Sequence, residues 1–283
     1  MTRAPEPVAA GGPDTAARPD TRSAVARSSR RSGNRARQLG ELLLGAAVFL
    51  ALWKAIVVVG GYPAFILPPP ETVAARLVSA WADGTMEPHF AQTLLEVVLG
   101  FAVGASLALA AGYLLARSAI AERFLSPYLV AAQATPILAL APLLALWFGN
   151  GLLSKVVICG LIVFFPVAVS TMVGIRTVDA RLLEMGRSLR ASRWQIVWTL
   201  EIPAALPSIM GGLRVGVTLS VVGAIIAEWA GGDRGLGVLI NLARGSLFDT
   251  PLLFATLFTI AGMGVGLYLL VVLAERWLVG PRG

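Results

Sequence analysis

The sequence is poor in the residue types that catalysis and metal binding require. Its 283 residues contain one cysteine and one histidine, and the only lysines are Lys54 and Lys155. Neither lysine lies in a G-x-x-x-x-G-K-[ST] motif, so the chain lacks the phosphate-binding loop of an ATPase. HExxH, GxSxG and Cys/His clusters are absent as well. We therefore expect no catalytic residue, no metal site and no cofactor bound by this chain.

Charge is also scarce. Charged residues make up 14% of the chain and hydrophobic residues 57%, with a mean hydropathy of +0.77, whereas a soluble domain has roughly 25% charged residues. This composition predicts a membrane protein with several spans. The net charge of +7 does not indicate nucleic-acid binding, because the arginines lie in the first 38 positions and in short loops rather than along one groove.

The start of the chain is rich in arginine, alanine, proline, serine and glycine, without apolar periodicity. We interpret residues 1–38 as a disordered basic tail. A cleaved signal peptide is the alternative. However, the apolar run Leu39–Val59 is longer than the about 7–15 apolar residues of a signal peptide.

Six stretches are apolar over the roughly 20 residues that a membrane-spanning helix needs. Outside them, basic residues lie in the tail, in the loops at 117–123 and 176–201, and at the end of the chain. Because basic loops stay in the cytoplasm, we expect an all-α integral membrane protein with both termini cytoplasmic. The predicted spans are Leu39–Val59, Leu94–Ala116, Tyr128–Phe148, Leu152–Gly174, Ile209–Ala227 and Leu252–Ala274.

Two spans carry small residues at every fourth position, which lets helix backbones approach closely in lipid. We expect these ridges to pack within the chain rather than between subunits. They comprise Gly100, Gly104, Ala108 and Gly112 in the second span, and Gly212, Gly216, Ser220 and Ala224 in the fifth.

The loop between the first two spans carries a helical pattern of its own. Val73, Leu77 and Trp81 recur every four residues after Pro70, which predicts a short amphipathic helix. His89 follows this helix. We expect His89 to be solvated, because a single loop histidine is seldom a ligand.

Polar residues inside the predicted spans are candidates for lining a solute pathway. Gln133, Thr135 and Pro136 form a polar notch in the third span, where the proline frees a backbone carbonyl. Glu228 continues the small-residue ridge of the fifth span. The other charged residues near span ends can reach the headgroups with their side chains. These are Lys54, Glu96, Lys155 and Arg214.

The longest polar segment between apolar runs extends from Asp179 to Pro207. Apolar residues within Leu182–Leu189 share one helical face, and arginines occupy another. Ser192 and Gln195 have the spacing of a capping box, which marks a second helix start. We therefore predict two short helices that meet near Ala191.

This segment is open to two interpretations. Pro203 and Pro207 are expected to close it before the fifth span, because proline removes a helix donor. Its two helices either lie on the bilayer surface or dock into the groove of a partner. The pattern alone favours the bilayer surface.

The same segment resembles the EAA loop of ABC importer permeases. In that family, Glu-Ala-Ala is followed by a glycine and, near the end of the loop, by Leu-Pro or Ile-Pro. Glu184-Met185-Gly186, Leu189 and Ile202-Pro203 match this pattern. The sequence departs from this pattern at two places. Met185 and Gly186 replace the two alanines, and Arg190 stands where the loop usually has its glycine. If that position is left-handed, Arg190 costs about 1 kcal/mol there, so the turn is either remodelled or strained.

The resemblance covers residues 67–273 and is nearest to the permeases of the nitrate, sulfonate and taurine importer family. It implies a type I importer permease domain at 39–283, with a coupling loop at 176–207 that docks on a separate cytoplasmic ATPase. That ATPase would bind the ATP. A second permease copy and an extracytoplasmic solute-binding protein would complete the importer. The resemblance does not decide whether the two permeases are identical chains. The coupling-loop residues implied by the resemblance are Asp179, Glu184, Met185, Gly186, Arg187, Leu189, Arg190 and Pro203.

The resemblance leaves the solute open. Sulfonates, taurine and nitrate are common in this family. The few basic residues in the spans favour a less charged solute, such as a pyrimidine or flavin vitamin precursor. An ion-coupled secondary transporter is the alternative to an ABC importer. Such a transporter usually has inverted repeats and broken polar helices, and this sequence has no internal repeat.

Overall fold

The computed structural model describes residues 21–279, and within 21–39 and 126–134 it describes only some of the side chains. The first helix, α1 (Thr21–Gly60), belongs to a separate compact unit that ends at Val59. This helix covers residues 21–38, which the sequence predicted as disordered. An ion pair between Arg37 and Glu41, one helical turn apart, suits a helix there. Residues 1–20 lie outside the described residues, and the prediction for them stays a prediction.

The second unit begins at Gly60 and holds the remaining helices. All described elements are helical, as the composition predicted. A π-helical stretch at Ile196–Glu201 joins α8 to α9 without a break. The helices are α2 (Pro70–Ala82), α3 (Glu87–Arg117), α4 (Ala119–Ala134), α5 (Ile137–Phe148), α6 (Leu152–Arg176), α7 (Ala180–Ser188), α8 (Arg193–Gln195), α9 (Ile202–Ala230), α10 (Leu236–Gly245) and α11 (Thr250–Val279).

Within the described residues, five helices are long and apolar enough to cross a membrane. They contain the predicted first, second, fourth, fifth and sixth spans. The third predicted span, Tyr128–Phe148, is divided between the end of α4 and α5 by a break at Thr135 and Pro136, and the count of six spans stays a prediction. α5 has 12 residues and reaches only about 18 Å, so it cannot cross a bilayer core alone.

The centre of the second unit is a three-helix core of α3, α6 and α9. Glycines bring the backbones together: a Cβ on Gly104 would lie 2.5 Å from the carbonyl oxygen of Gly160. On the other side of α6, a Cβ on Gly212 would lie 2.6 Å from Cβ of Ser170. Both predicted small-residue ridges therefore pack within the chain.

The contacts along this core define two ends of the unit. α3 and α6 run parallel, and α9 runs antiparallel to both. The starts of α3 and α6 thus lie with the end of α9 and with α10, and we call this the α10 end. The opposite end holds Arg117, Arg176 and α7, and we call it the arginine end.

Two further predictions concern single elements. The amphipathic helix is confirmed as α2, with Val73 buried and Trp81 in edge contact with Phe90 at 5.4 Å between ring centroids. The prolines do not close the polar segment, because the helix runs through Pro203 and Pro207. Pro203 fills the first turn of α9, where its missing N–H costs least.

Candidate functional site at the arginine end

The polar loop forms two short helices, as predicted. The carboxylate of Asp179 caps α7 by accepting from the amide of Arg181 at 2.9 Å. At the other end, the amides of Arg190 and Ala191 donate to the carbonyl oxygens of Arg187 and Gly186 at 2.9 and 3.1 Å. This pair of bonds is a Schellman motif, which needs a left-handed residue after the helix.

Arg190 is that left-handed residue, with a φ of +56°. Glycine takes this conformation without a steric penalty, whereas a side chain costs about 1 kcal/mol or more. The turn has therefore kept the geometry of a glycine cap and tolerates the strain.

The second helix starts with the predicted capping box. Ser192 Oγ accepts from the amide of Gln195 at 3.3 Å, and Gln195 Oε1 accepts from the amide of Ser192 at 2.7 Å. The helix then continues through the π-helical stretch into α9. A movement of this segment would therefore act directly on the core.

Gly186 sets the distance between α7 and the π-helical stretch that continues α8. It is buried, and a Cβ in its place would lie 2.7 Å from Cδ1 of Leu200 and 3.3 Å from Cγ1 of Ile196. α7 therefore packs directly on the stretch that leads into α9, a contact that the sequence alone did not predict.

The outward surface of this element combines apolar and charged side chains. Leu189 is 75% exposed, Trp194 74% and Met185 51%. Glu184 is exposed between them, as are Arg187 and Arg190. Such a cluster of exposed apolar residues bordered by charges is typical of an interaction surface.

Ion pairs fasten this end to the core. Arg176 of α6 donates to both oxygens of Glu122 in α4, at 2.5 and 2.6 Å, and to the carbonyl oxygen of Leu115 at 2.8 Å. These hydrogen bonds from the Arg176 guanidinium lower the pKa of Glu122 below its usual value. Arg117 of α3 pairs with the buried Glu201 of the π-helical stretch.

Nothing in the sequence pattern singles out Glu122 or Glu201. Both are acids within predicted basic loops, and only their distant partners reveal their role. Between the loop and the end of α3 lies a cavity of about 780 Å³. Its charged and aromatic lining residues include Tyr113, Arg187 and Trp194.

Three of the predicted pathway residues lie together at the junction of α4 and α5. Thr135 Oγ1 donates to the carbonyl oxygen of Ala131 at 3.0 Å, and Pro136 precedes α5. Gln133 borders a cavity of about 450 Å³ together with Phe165 and Ser170. The other lining residues are Ile137, Ile162, Pro166, Val169, Val215 and Leu219.

Glu228, the fourth predicted pathway residue, lies elsewhere. It is nine residues beyond Leu219 on α9, or about 14 Å along the helix. Its carboxylate is 2% exposed and accepts from Thr93 Oγ1 at 2.6 Å and from the amide of Gly237 at 2.5 Å. The structure thus encloses Glu228 within one chain, away from the cavity at Gln133.

Two expectations about polar residues at the α10 end are wrong. Glu96 and Lys155 do not extend to headgroups but form a buried ion pair, with 2.7 Å between Oε1 and Nζ. His89 is not a solvated loop residue but lies in the first turn of α3. Its Nδ1 is 2.8 Å from the carbonyl oxygen of Gly235. Tertiary contacts, which sequence spacing does not reveal, decide both positions.

The loop geometry agrees with the family assignment. Residues 100–279 match the family described as binding-protein-dependent transport system inner membrane component. The chain belongs to this family. The matched region begins in α3 and runs to the end of α11, so it contains the core and the loop.

Relatives in this family are permeases of ABC importers. The riboflavin transport system permease protein RibX of Chloroflexus aurantiacus is 46% identical over 232 residues, or 82% of this chain and 86% of RibX. The taurine transport system permease protein TauC of Escherichia coli is 30% identical over 220 residues, or 76% of this chain and 80% of TauC.

A solved structure supports the fold. An inward-facing structure of the MetNI methionine ABC transporter matches with a TM-score of 0.60 and 18% identity, covering 69% of this chain and 95% of the matched chain. The family and its relatives identify the chain as the membrane-spanning permease subunit of an ATP-driven importer for a small solute. The family acts with an ATPase and a solute-binding protein in the inner membrane. This membership excludes the ion-coupled alternative.

Proposed function

We propose that α7 and α8 are the element through which a partner ATPase drives this permease. The observation that carries the proposal is the exposed surface around Leu189 and Trp194, next to the close contact of α7 with the π-helical stretch at Gly186. A surface whose helices are already packed on each other needs less ordering on binding, which favours its use as a docking site. Glu184 and Gly186 would lie at the ATPase groove, with Arg187 and Arg190 adding charge.

The position of the loop explains how docking would act on the pathway. α7 follows the end of α6, and α8 leads directly into α9. When the two ATPase subunits close on ATP, a push on the loop would tilt both helices and open the pathway to the other side. The coupling free energy would come from contacts that differ between the two states. Asp179 and Pro203 would serve as the caps that transmit this push.

Charge reversal at Glu184 tests the docking role. We expect Glu184→Arg to lower recovery of the ATPase with the tagged permease and to uncouple ATP hydrolysis from uptake. Asp233→Arg makes the same charge change at an exposed site of the α10 end and should leave ATPase recovery unchanged. Normal uptake and normal ATPase recovery in Glu184→Arg would show that Glu184 does not take part in docking.

The orientation and partners form part of the same proposal. The arginine end and both termini would face the cytoplasm, because arginine-rich loops stay on that side. ATP would bind only to the partner ATPase, so this chain would need no cofactor. Two copies of the chain would enclose the pathway, with Gln133, Thr135 and Pro136 facing it.

We propose that the solute is an uncharged heteroaromatic compound of the flavin class. No described residue lining the cavity at Gln133 is charged. An anion such as a sulfonate would lose its hydration there without a positive partner. Phe165 offers a ring for stacking, while Gln133 and Ser170 offer hydrogen bonds to ring amides. The riboflavin permease relative supports the same class.

Reconstituted uptake distinguishes the solute classes. Vesicles containing the permease, its ATPase and its binding protein should accumulate riboflavin when ATP is supplied inside, and Gln133→Leu should reduce that uptake. Ser106→Ala is the matched control, because it removes an exposed hydroxyl that donates to its own helix at Ala102. Uptake of taurine without uptake of riboflavin would overturn the assignment to flavins and leave the docking proposal intact.

A further inference from the structure

α10 begins without a cap of its own. The residue before it, Gly235, has no side chain and a φ of +137°, yet the first amides of a helix need outside acceptors. Thr93 Oγ1 accepts from the amide of Leu236 at 2.7 Å, and Glu228 Oε2 accepts from the amide of Gly237 at 2.5 Å. α10 is therefore capped by side chains from α3 and α9.

The two capping side chains are bonded to each other. Thr93 Oγ1 lies 2.6 Å from Glu228 Oε1 and 3.1 Å from the carbonyl oxygen of His89. A hydroxyl has one hydrogen, and the bond to a carboxylate is the shorter and stronger one. Thr93 thus donates to Glu228 while it accepts from α10. The carboxylate also lies at the N-terminus of α10, where the helix dipole favours negative charge.

The turn before α10 is held from two more sides. His89 Nδ1 of α3 lies 2.8 Å from the carbonyl oxygen of Gly235 and 3.1 Å from its amide nitrogen, and the ring tautomer decides which of the two it bonds. Lys155 Nζ of α6 lies 3.4 Å from the carbonyl oxygen of Arg234, in addition to its bond with Glu96. All three core helices therefore contact the start of α10 or its turn.

Glycines allow these contacts to be close. A Cβ on Gly235 would lie 2.1 Å from the carboxyl carbon of Glu228, and a Cβ on Gly237 would lie 2.8 Å from its Oε2. Any larger residue would force the backbone of the turn away from α9.

Burial makes this attachment costly to undo. Thr93 and Glu96 are 0% exposed, Glu228 2% and Lys155 4%. Separating α10 from the core would leave Glu228 Oε2 buried without its donor, the amide of Gly237. We propose that Thr93 and Glu228 are positioning residues that fix α10 to the α3–α6–α9 core. α10 then moves with the core during transport and does not open as a separate gate.

Hydrogen exchange tests this directly, because the amides of Leu236 and Gly237 are the capped groups. The assembled transporter is compared in its resting state and when trapped with a non-hydrolysable ATP analogue. We expect the α10 peptide to exchange equally slowly in both states. Exchange tenfold faster in one state, with α11 unchanged, would show that α10 is a gate and would overturn the proposal.

Variants of Thr93 provide a second test of the proposal. Thr93→Val keeps the shape but loses both hydroxyl bonds, so exchange in α10 should rise at least about tenfold. The maximal uptake rate should fall, with half-saturation by the binding protein unchanged. Thr93→Ser should restore both. Thr256→Val removes an equally buried hydroxyl that donates to its own helix at Leu252 and should change neither.

The outcomes separate this inference from the docking proposal. Unchanged α10 exchange in Thr93→Val would overturn the positioning role, whatever Glu184→Arg does. If Thr93→Val does not assemble with its partners, the comparison of the two states in the unmodified transporter still decides between one body and a gate.

Discussion

Lys155 of α6 and Glu96 of α3 form an ion pair of 2.7 Å that is buried from solvent. Gln92 donates to the same carboxylate oxygen, Glu96 Oε1, at 2.7 Å. The other oxygen, Oε2, has no hydrogen-bond partner among the described residues. Because the pair is balanced in charge but incompletely hydrogen-bonded, its stability depends on both partners being present.

Removing the lysine should therefore destabilise the protein strongly. Lys155→Met leaves the Glu96 carboxylate buried without its cation, at an expected cost of about 3–5 kcal/mol. The double variant Glu96→Leu/Lys155→Met removes both charges and should recover most of that loss. Thermal unfolding in detergent measures both. A double variant as unstable as Lys155→Met would contradict the charge argument and indicate a packing role instead.

Relief of the strained turn should stabilise the loop. Arg190→Gly removes the left-handed side chain, and we expect a gain of about 1 kcal/mol in the free energy of unfolding. Arg187→Gly changes the same residue type inside α7 and should cost about 1 kcal/mol. Thermal unfolding of the two variants checks the contrast. Equal destabilisation by both would mean that the Arg190 side chain makes a contact that outweighs its strain.

The stabilisation from the ion pair between Glu122 of α4 and Arg176 of α6 should depend on pH. Hydrogen bonds from Arg176 hold the pKa of Glu122 below its ordinary value of 4.5. Because the pKa of Glu122 is lower in the folded state than in the unfolded state, its ion pair with Arg176 contributes fully to stability above the unfolded-state pKa. That contribution is lost as the pH falls through the folded-state pKa. Glu122→Gln should therefore be less stable than the natural protein above pH 4.5, with the difference vanishing in stronger acid.

Unfolding measured across this pH range tests the prediction, with Glu184→Gln as the control. Glu184 is an exposed carboxyl without an ion pair among the described residues, so its replacement should have little effect at any pH. If Glu122→Gln were still less stable than the natural protein in strong acid, the stabilisation would not come from the ion pair.

The orientation can be read from single cysteines. Cys159 is buried in the core, and Cys159→Ala keeps its Cβ, so this variant provides a cysteine-free background. Asn241→Cys at the α10 end should react with an impermeant maleimide in intact cells. Ser188→Cys at the end of α7 should react only after permeabilisation. Labelling with the opposite pattern would place the arginine end outside and rule out ATPase docking there.

The local elements followed from local chemistry. Ser192 and Gln195 form the predicted capping box because a cap depends on residues three positions apart. The Arg190 turn kept the geometry of a glycine cap for a similar reason, since its hydrogen bonds lie within α7 and the next two residues. The apolar stretch Tyr128–Phe148 was predicted as one span, and the structure divides it at Thr135 and Pro136, the polar notch that the sequence also showed.

The buried polar contacts could not be read from the sequence. Lys155 and Glu96 are 59 residues apart, and Thr93 and Glu228 are 135 apart. Lys155 and Glu96 could equally reach the headgroups when their own helices are considered alone. Only the packing of the three core helices places a partner within hydrogen-bond distance, because glycines shorten the distance between the backbones.

The sequence by itself determined the all-helical membrane class, the small-residue ridges, the loop at the arginine end and the resemblance to importer permeases. These depend on composition and short-range periodicity, which the linear order of residues carries. The tertiary structure alone decided that α10 is capped from α3 and α9, that Gly186 packs against Leu200, and that Glu228 lies away from Gln133. These depend on distances between helices, which are set by how the whole core packs.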